Sequence, residues 1–240
     1  MENRNRQIII DECHSKTMSL DLNGGLDNLD IHVGKKANLL LNLYNFGEAK
    51  NTKITAKIDN DGEIMLVMAD FSKGKSKIEA LFDLAGVNAR GVWKLSTLAS
   101  QEDDKKFDIH FHHLAMNTYG LMDNYGVARN TSRLIFSGAN DIVRGAKKSK
   151  TKQNAKIIVF DKGAIAKADP RLNISENEVE ASHAAVVGKL SDEHLFYLMS
   201  RGLNLNEAKQ LITYGYLMPI AEYFNEDIQK QIAAIIKERV

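Results

Sequence analysis

Residues 177–202 read NEVEASHAAVVGKLSDEHLFYLMSRG, and the spacing of the apolar residues changes within them. Up to Gly188 the residues are small or β-branched, with one histidine, His183, set among alanines, which is a strand pattern. From Ser191 onward the apolar residues fall at helical spacing. Ser191 is an N-cap candidate, Asp192 and Glu193 stand where the helix dipole favours negative charge, and Gly202 is placed for a left-handed C-terminal cap. Everything upstream reads as sheet and everything downstream as helix. The chain is therefore expected to divide into a sheet region, residues 1–188, and a small helical subdomain, residues 189–240.

Working upstream, short alternating runs recur between Gly, Asn and Asp: Ile54, Ala56 and Ile58, then Ile64, Leu66 and Met68, then Ile78, Ala80, Phe82 and Leu84. Phe107, Ile109 and Phe111 continue the pattern, followed by Leu134 and Phe136, Ile157 and Val159, and Leu172 and Ile174. No segment here has the helical run that a βαβ crossover requires. An antiparallel sandwich or barrel and a parallel solenoid joined by turns both satisfy this. Turn signals recurring on a scale of roughly 20 residues suit stacked repeats, and the two readings stand about even on the residues alone.

Working downstream, Asn204 with Glu207 has capping-box spacing, and Ala208, Leu211, Ile212, Tyr216 and Ile220 line one helical face, which Pro219 should kink. A third helical pattern runs through Ile228, Ile232, Ile235 and Ile236 to Lys237 and Arg239 in the last turn.

With 240 residues, 44% of them apolar, the chain is long enough for a sizeable core. A formal charge of +1 argues against electrostatic capture of nucleic acid or an acidic membrane. The basic run Lys147-Lys148-Ser149-Lys150-Thr151-Lys152 reads as a solvated loop or edge. The single cysteine, Cys13, excludes an internal disulfide and a four-thiolate cluster and suits a reducing cytoplasm; it reads as an incidental thiol. The N-terminal apolar run is too short for a secretory signal, and no apolar stretch is long enough for a membrane span, so a soluble cytoplasmic protein is expected.

Motifs for catalysis fail. Gly74-Lys75-Ser76 ends like a phosphate-binding loop, but Ala69 stands where the first glycine is required, so no nucleotide is expected to bind this chain. No nucleophile elbow, zinc helix or dinucleotide turn is present, and no carboxylate pair assembles into an acid/base couple. Histidine is the metal candidate: strand alternation in DIHFHHLAM puts His110 and His112 on one face and His113 on the other. His183, uncrowded among alanines, suits a close-packed interface or a metal ligand.

Several spaced motifs resemble the SufB/SufD family of iron-sulfur cluster assembly proteins. Ser182, His183, Val187, Gly188, Leu195-Phe196-Tyr197-Leu198 and Ser200-Arg201-Gly202 carry the resemblance. Upstream, His113-Leu114-Ala115-Met116-Asn117-Thr118 is similar to the family's His-Leu-Ala-Pro-Asn-Thr, and Ser132-Arg133-Leu134-Ile135-Phe136-Ser137-Gly138 resembles its aromatic-then-glycine motif at a coil corner. Gln153-Asn154 resembles the pair before an apolar strand.

The resemblance implies a right-handed parallel β-helix followed by a C-terminal α-helical subdomain that docks on a SufC-like ABC-type ATPase. It also implies pairing with a second SufB/SufD-like β-helix, here expected to be a homodimer. His183 matches the interface histidine, with Ser182 beside it as a cluster or interface candidate. Leu195, Phe196, Tyr197, Arg201, Gly202 and Tyr216 fall in the ATPase-docking part. An iron-sulfur cluster would be held transiently or not at all by the isolated chain. The family's Cys-Ser-His-Gly-Ala-Thr reads Ala181-Ser182-His183-Ala184-Ala185-Val186 here, which removes a thiol. The expectation is thus a non-enzymatic scaffold subunit; the alternatives are a β-helix carbohydrate-active enzyme and a purely structural homodimer without cluster chemistry.

Overall fold

The computed structural model describes residues 4–240, so Met1, Glu2 and Asn3 lie outside it. The first coils are made by β1 (Asn5–Ile10), β2 (Ser15–Asp21), β3 (Asn28–Val33), β4 (Asn38–Asn45), β5 (Thr52–Ile58) and β6 (Glu63–Asp70). Ten-residue strands follow: β7 (Lys75–Leu84), β8 (Arg90–Ala99), β9 (Asp104–His113), β10 (Tyr119–Ala128), β11 (Arg133–Ile142), β12 (Lys150–Val159), β13 (Ile165–Ile174) and β14 (Glu180–Lys189). Every odd strand pairs in parallel with the next odd strand and every even strand with the next even one, giving two seven-stranded sheets. The molecule is thus a parallel β-solenoid with two strands per coil, and the antiparallel alternative is excluded.

The repeat grows along the chain. Equivalent residues on neighbouring odd strands are 23 apart at the start (Asn5 and Asn28) and 32 apart at the end (Arg133 and Ile165). A drifting period, longer than the roughly 20 residues expected, explains why no clean sequence repeat is visible. One corner is marked by a residue with positive φ in each of the first six coils: Cys13, Lys36, Asp61, Asn88, Asn117 and Lys148. Asn and Asp tolerate this left-handed conformation best among side-chain-bearing residues. They also stack here, Asn88 Nδ2 donating to Asp61 Oδ1 at 2.7 Å and Asn117 Nδ2 to Asn88 Oδ1 at 2.5 Å. Cys13 is thus the first rung of a structural corner, with its thiol exposed.

Alternation along each strand sends one row of side chains into a narrow core. Phe82 and Phe111 stack there with centroids 4.5 Å apart, and the buried Trp93 indole donates to Asn124 Oδ1 at 2.8 Å. Gly91 makes the rings fit: a Cβ at that position would lie 2.4 Å from Phe111. Gly138, which the family resemblance puts at a coil corner, lies within β11, where a Cβ would crowd the Met122 sulfur. The partial phosphate-loop match is a turn: the Gly74 amide donates to Asp103 Oδ1, and Ser76 is buried on β7.

After β14 the chain forms α1 (Asp192–Ser200), α2 (Leu205–Leu217), a 3-10 turn over Met218–Tyr223 and α3 (Glu226–Arg239). Ser191, Asn204 and Asn225 cap the three helices, and Asn204 closes a full capping box with Glu207. Pro219 ends α2 rather than kinking it, because its ring is accommodated at the start of the 3-10 turn. The helices fold back onto the outer face of the even sheet. Leu217, Ile220, Phe224, Ile228, Ile232 and Ile236 bury against Val67, Ala69, Phe71, Leu98 and Val127. Leu211, expected on this inner face, is 51% exposed, and Thr213 and Leu217 are buried instead.

A polar latch fixes the C-terminus. Arg239 Nη1 donates to the Phe71 and Ser72 carbonyls at 2.7 and 3.2 Å, and its other nitrogens reach Ser100 Oγ and the buried Asp103 carboxylate. Arg129 Nη1 donates to the Arg239 carbonyl at 2.8 Å. Beside this latch, Lys105 Nζ lies 2.8 Å from Asp70 Oδ1, with both side chains buried. Burial pushes the Lys105 ammonium below its ordinary pKa, against the pull of Asp70. Among the described residues, no helix is long and apolar enough to cross a membrane.

Candidate functional site

The last coil is an unfinished cross-section. On the even sheet, the column that runs through Leu41, Leu66, Trp93, Met122 and Gln153 ends at His183. Leu41, Leu66, Trp93 and Met122 are buried core residues, so His183 occupies an inward-facing position. It is nevertheless exposed, as β14 has a strand on one side only. Val187 follows the buried Ile157 in the same way and is 43% exposed. On the odd sheet, Ala166, Ala168, Leu172 and Ile174 of β13 take the places after Leu134, Phe136, Asn140 and Ile142. The end of the solenoid thus presents a small-residue, largely apolar section with one imidazole and two open strand edges. Ser182 lies on the opposite face of β14 from His183 and is exposed.

The helical segment offers a second surface. No residue of α1 is buried: Phe196 is 76% exposed and Tyr197 57%, with Arg201 packed over the Tyr197 ring. Leu195 is half-buried, and Gly202, at φ +99°, makes the left-handed cap. A groove of about 490 Å³ lies nearby between α2 and α3, lined by Leu203, Leu211, Tyr214, Ala233 and Ile236. Tyr216 is placed differently. It packs edge-on against Tyr125 of the solenoid, 5.3 Å between centroids, where burial pushes its phenol pKa upward.

The third group of candidates sits on the odd sheet. His110 and His112 point outward from β9, as alternation requires, and His113 points inward. His113 follows Ile58 and Leu84 in an aliphatic column and precedes Ile142, and its Nδ1 meets Thr118 Oγ1 at 2.8 Å. Thr118 in turn bonds Ser149 Oγ at 2.7 Å, so His113 and Thr118, the two ends of the HLAMNT motif, brace a coil corner. Burial is the main cause that lowers the His113 pKa from 6.5 to about 4, with His112 adding to it and Asp141 opposing it.

The sign follows from proton binding. Between pH 6.5 and 4 the unfolded chain holds a proton at this site that the folded chain does not, so stability is fully present above pH 6.5 and falls as pH drops toward 4. The expected loss is about 3 kcal/mol. Urea denaturation in metal-free buffer should show it, and His113→Gln should remove it from the difference between the two pH profiles.

What the sequence left unseen are the carboxylates around the outward histidines. Asp83 and Asp141 flank His112 in register on β7 and β11, and their spacing in sequence gives no hint of this without the coil length. The basic run 147–152 is part of a corner and of β12, with Ser149 and Thr151 buried and Lys150 paired with Glu180 at 2.8 Å.

Comparison with known proteins places this architecture. The family model described as "SUF system FeS cluster assembly, SufBD core domain" matches residues 2–216. The iron-sulfur cluster assembly protein SufD of Bacillus subtilis (strain 168) is 28% identical over 215 residues, which is 89% of this chain and 48% of that protein. SufD of Escherichia coli (strain K12) is 30% identical over 115 residues, 48% of this chain and 27% of its own length. SufB of Bacillus subtilis is 25% identical over 154 residues, 64% of this chain and 33% of its own length. The chain thus spans about half the length of the Bacillus subtilis SufD it matches. On the extent of the family match and the parallel solenoid that carries it, the chain belongs to the SufBD core family of SUF-system iron-sulfur cluster assembly proteins.

Proposed function

We propose that this chain is a non-enzymatic scaffold subunit of a SUF-type iron-sulfur assembly complex in the cytoplasm. It pairs end to end with a second copy through β13 and β14 and docks a SufC-like ABC-type ATPase on its helical segment. The cluster is cargo that the complex builds and passes on. The observation that carries the reading is His183: a residue in a core column, exposed because β14 is the edge strand of its sheet. A second solenoid end would cover it, adding strands to both open edges as edge pairing does. The small side chains Ala181 and Ala185 let two such ends approach closely.

The chemistry available to this chain is limited. Clusters are held chiefly by thiolates, and Cys13 sits at the first coil while His183 sits on the last strand. This chain therefore supplies an imidazole and a surface, and the thiolates come from elsewhere in the complex. The reading gives the helical segment, residues 189–240, the role of a unit that the ATPase pulls on, with α1 as its handle.

Sedimentation tests the pairing. The tag-free chain should sediment as a dimer, and Ala185→Lys, which puts a charge into the apolar end section, should sediment as a monomer with unchanged thermal stability. A wild-type monomer at all concentrations, or a variant that still pairs, would overturn the end-to-end interface.

A further inference from the structure

The outer face of the odd sheet, which the helical segment leaves uncovered, carries a histidine-carboxylate cluster that the pairing and docking surfaces do not use. His110 and His112 share this face of β9. Asp83, His112 and Asp141 occupy the same rung on three successive strands. His112 Nδ1 lies 3.1 Å from Asp83 Oδ1, and its Nε2 lies 3.5 Å from Asp141 Oδ2. His110 Nε2 lies 3.0 Å from Asp108 Oδ1. All five side chains are half-buried, and one ligand atom from each of His110, His112 and Asp141 falls within 4.8 Å of the others.

The geometry points to a binding site for a divalent first-row transition-metal ion, with His110, His112 and Asp141 as ligands. Two imidazoles and one carboxylate form a donor set suited to ferrous iron or zinc, and they leave coordination positions open. Ligands about 2.1 Å from one ion stand roughly 3.4 Å apart, so side-chain rotations of about an ångström would close the present spread. A metal-bound histidine usually gives its other ring nitrogen to a carboxylate, and Asp83 is placed to do that for His112. The neighbouring groove, of about 280 Å³, also includes Glu79 and Lys53, so an ion there would lie beside polar groups accessible to solvent. The alternative for the same residues is a polar ladder, with His112 held between the Asp83 and Asp141 carboxylates and no ion.

Cobalt(II) is the probe. It is titrated into the tag-free chain carrying Cys13→Ser, which removes the competing thiol, with visible absorption as the readout and zinc as competitor. One ion per chain is expected, with affinity lost at least 100-fold in His112→Ala and in Asp141→Asn. Asp83→Asn should weaken binding about 10- to 100-fold, and His183→Ala should leave it unchanged. Circular dichroism checks that each variant folds. The polar ladder is the answer, and the proposal falls, if no stoichiometric ion is taken up or if uptake survives both His112→Ala and Asp141→Asn. Loss of the ion in His183→Ala would equally overturn it, by placing the ion at the solenoid end. Failure of end-to-end pairing would leave all these readouts unaffected.

Discussion

Asp70→Ala is expected to lower the free energy of unfolding by about 3–5 kcal/mol, measured by urea denaturation at neutral pH. The Asp70 carboxylate holds Lys105 Nζ at 2.8 Å and also accepts from the Ser72 amide at 3.0 Å and the Ser72 hydroxyl at 2.6 Å. Without it, a buried ammonium stands in the interior with the Arg239 guanidinium near enough to lower its pKa further. The effect should reach beyond the pair, because Arg239 and Asp103 of the C-terminal latch adjoin it. Replacing both partners, as Asp70→Leu with Lys105→Met, should recover most of the loss, since a buried ion pair exchanged for apolar groups of similar size is often neutral. An Asp70→Ala chain as stable as wild type would show that the pair does not bear on how the helices are held.

That pair also marks the limit of what the sequence could show. Alternation in runs such as Ile78, Ala80, Phe82 and Leu84 is enough to find strands, and capping residues such as Ser191, Asn204 and Asn225 are enough to find helices. Neither signal says which strand neighbours which. Parallel against antiparallel was settled in the sequence only by the family resemblance, because a coil that lengthens from 23 to 32 residues has no fixed period to detect. Asp83 and His112, and Gln153 and His183, are each one coil apart, and Lys105 lies 35 residues after Asp70, so all three relations are hidden until the coil length is known.

Helix faces were partly legible. Ala208 and Ile220 turn inward as their spacing suggests, whereas Leu211 turns outward, because the covered face is defined by the solenoid sheet rather than by apolarity alone. Leu211 then joins the exposed groove between α2 and α3. Tyr216, grouped in the sequence with the docking residues, faces Tyr125. His183 was found as a residue, but its meaning came from its column, which only the strand register reveals.

Phe196→Asp is expected to weaken binding of a SufC-like ATPase at least 100-fold, or about 2.7 kcal/mol. Large aromatic side chains in the centre of an interface dominate its energy, and Phe196 is an unpartnered aromatic on a helix with no buried residue. The substitution removes no contact of the core, so the thermal unfolding of the chain alone should not change. Tyr197→Asp should act in the same direction, and both should leave pairing through β14 intact. Tyr216→Asp is the contrasting variant: it should lower stability through the lost Tyr125 contact.

The central claim, a scaffold that carries an ATPase on its helices and a partner on its last coil, is tested most directly by sedimentation of the chain mixed with its ATPase under anaerobic conditions. The account predicts a complex of two chains and two ATPases, reduced to the bare chain dimer by Phe196→Asp. A chain that sediments alone at every ATPase concentration, or a complex unaffected by Phe196→Asp, would contradict it.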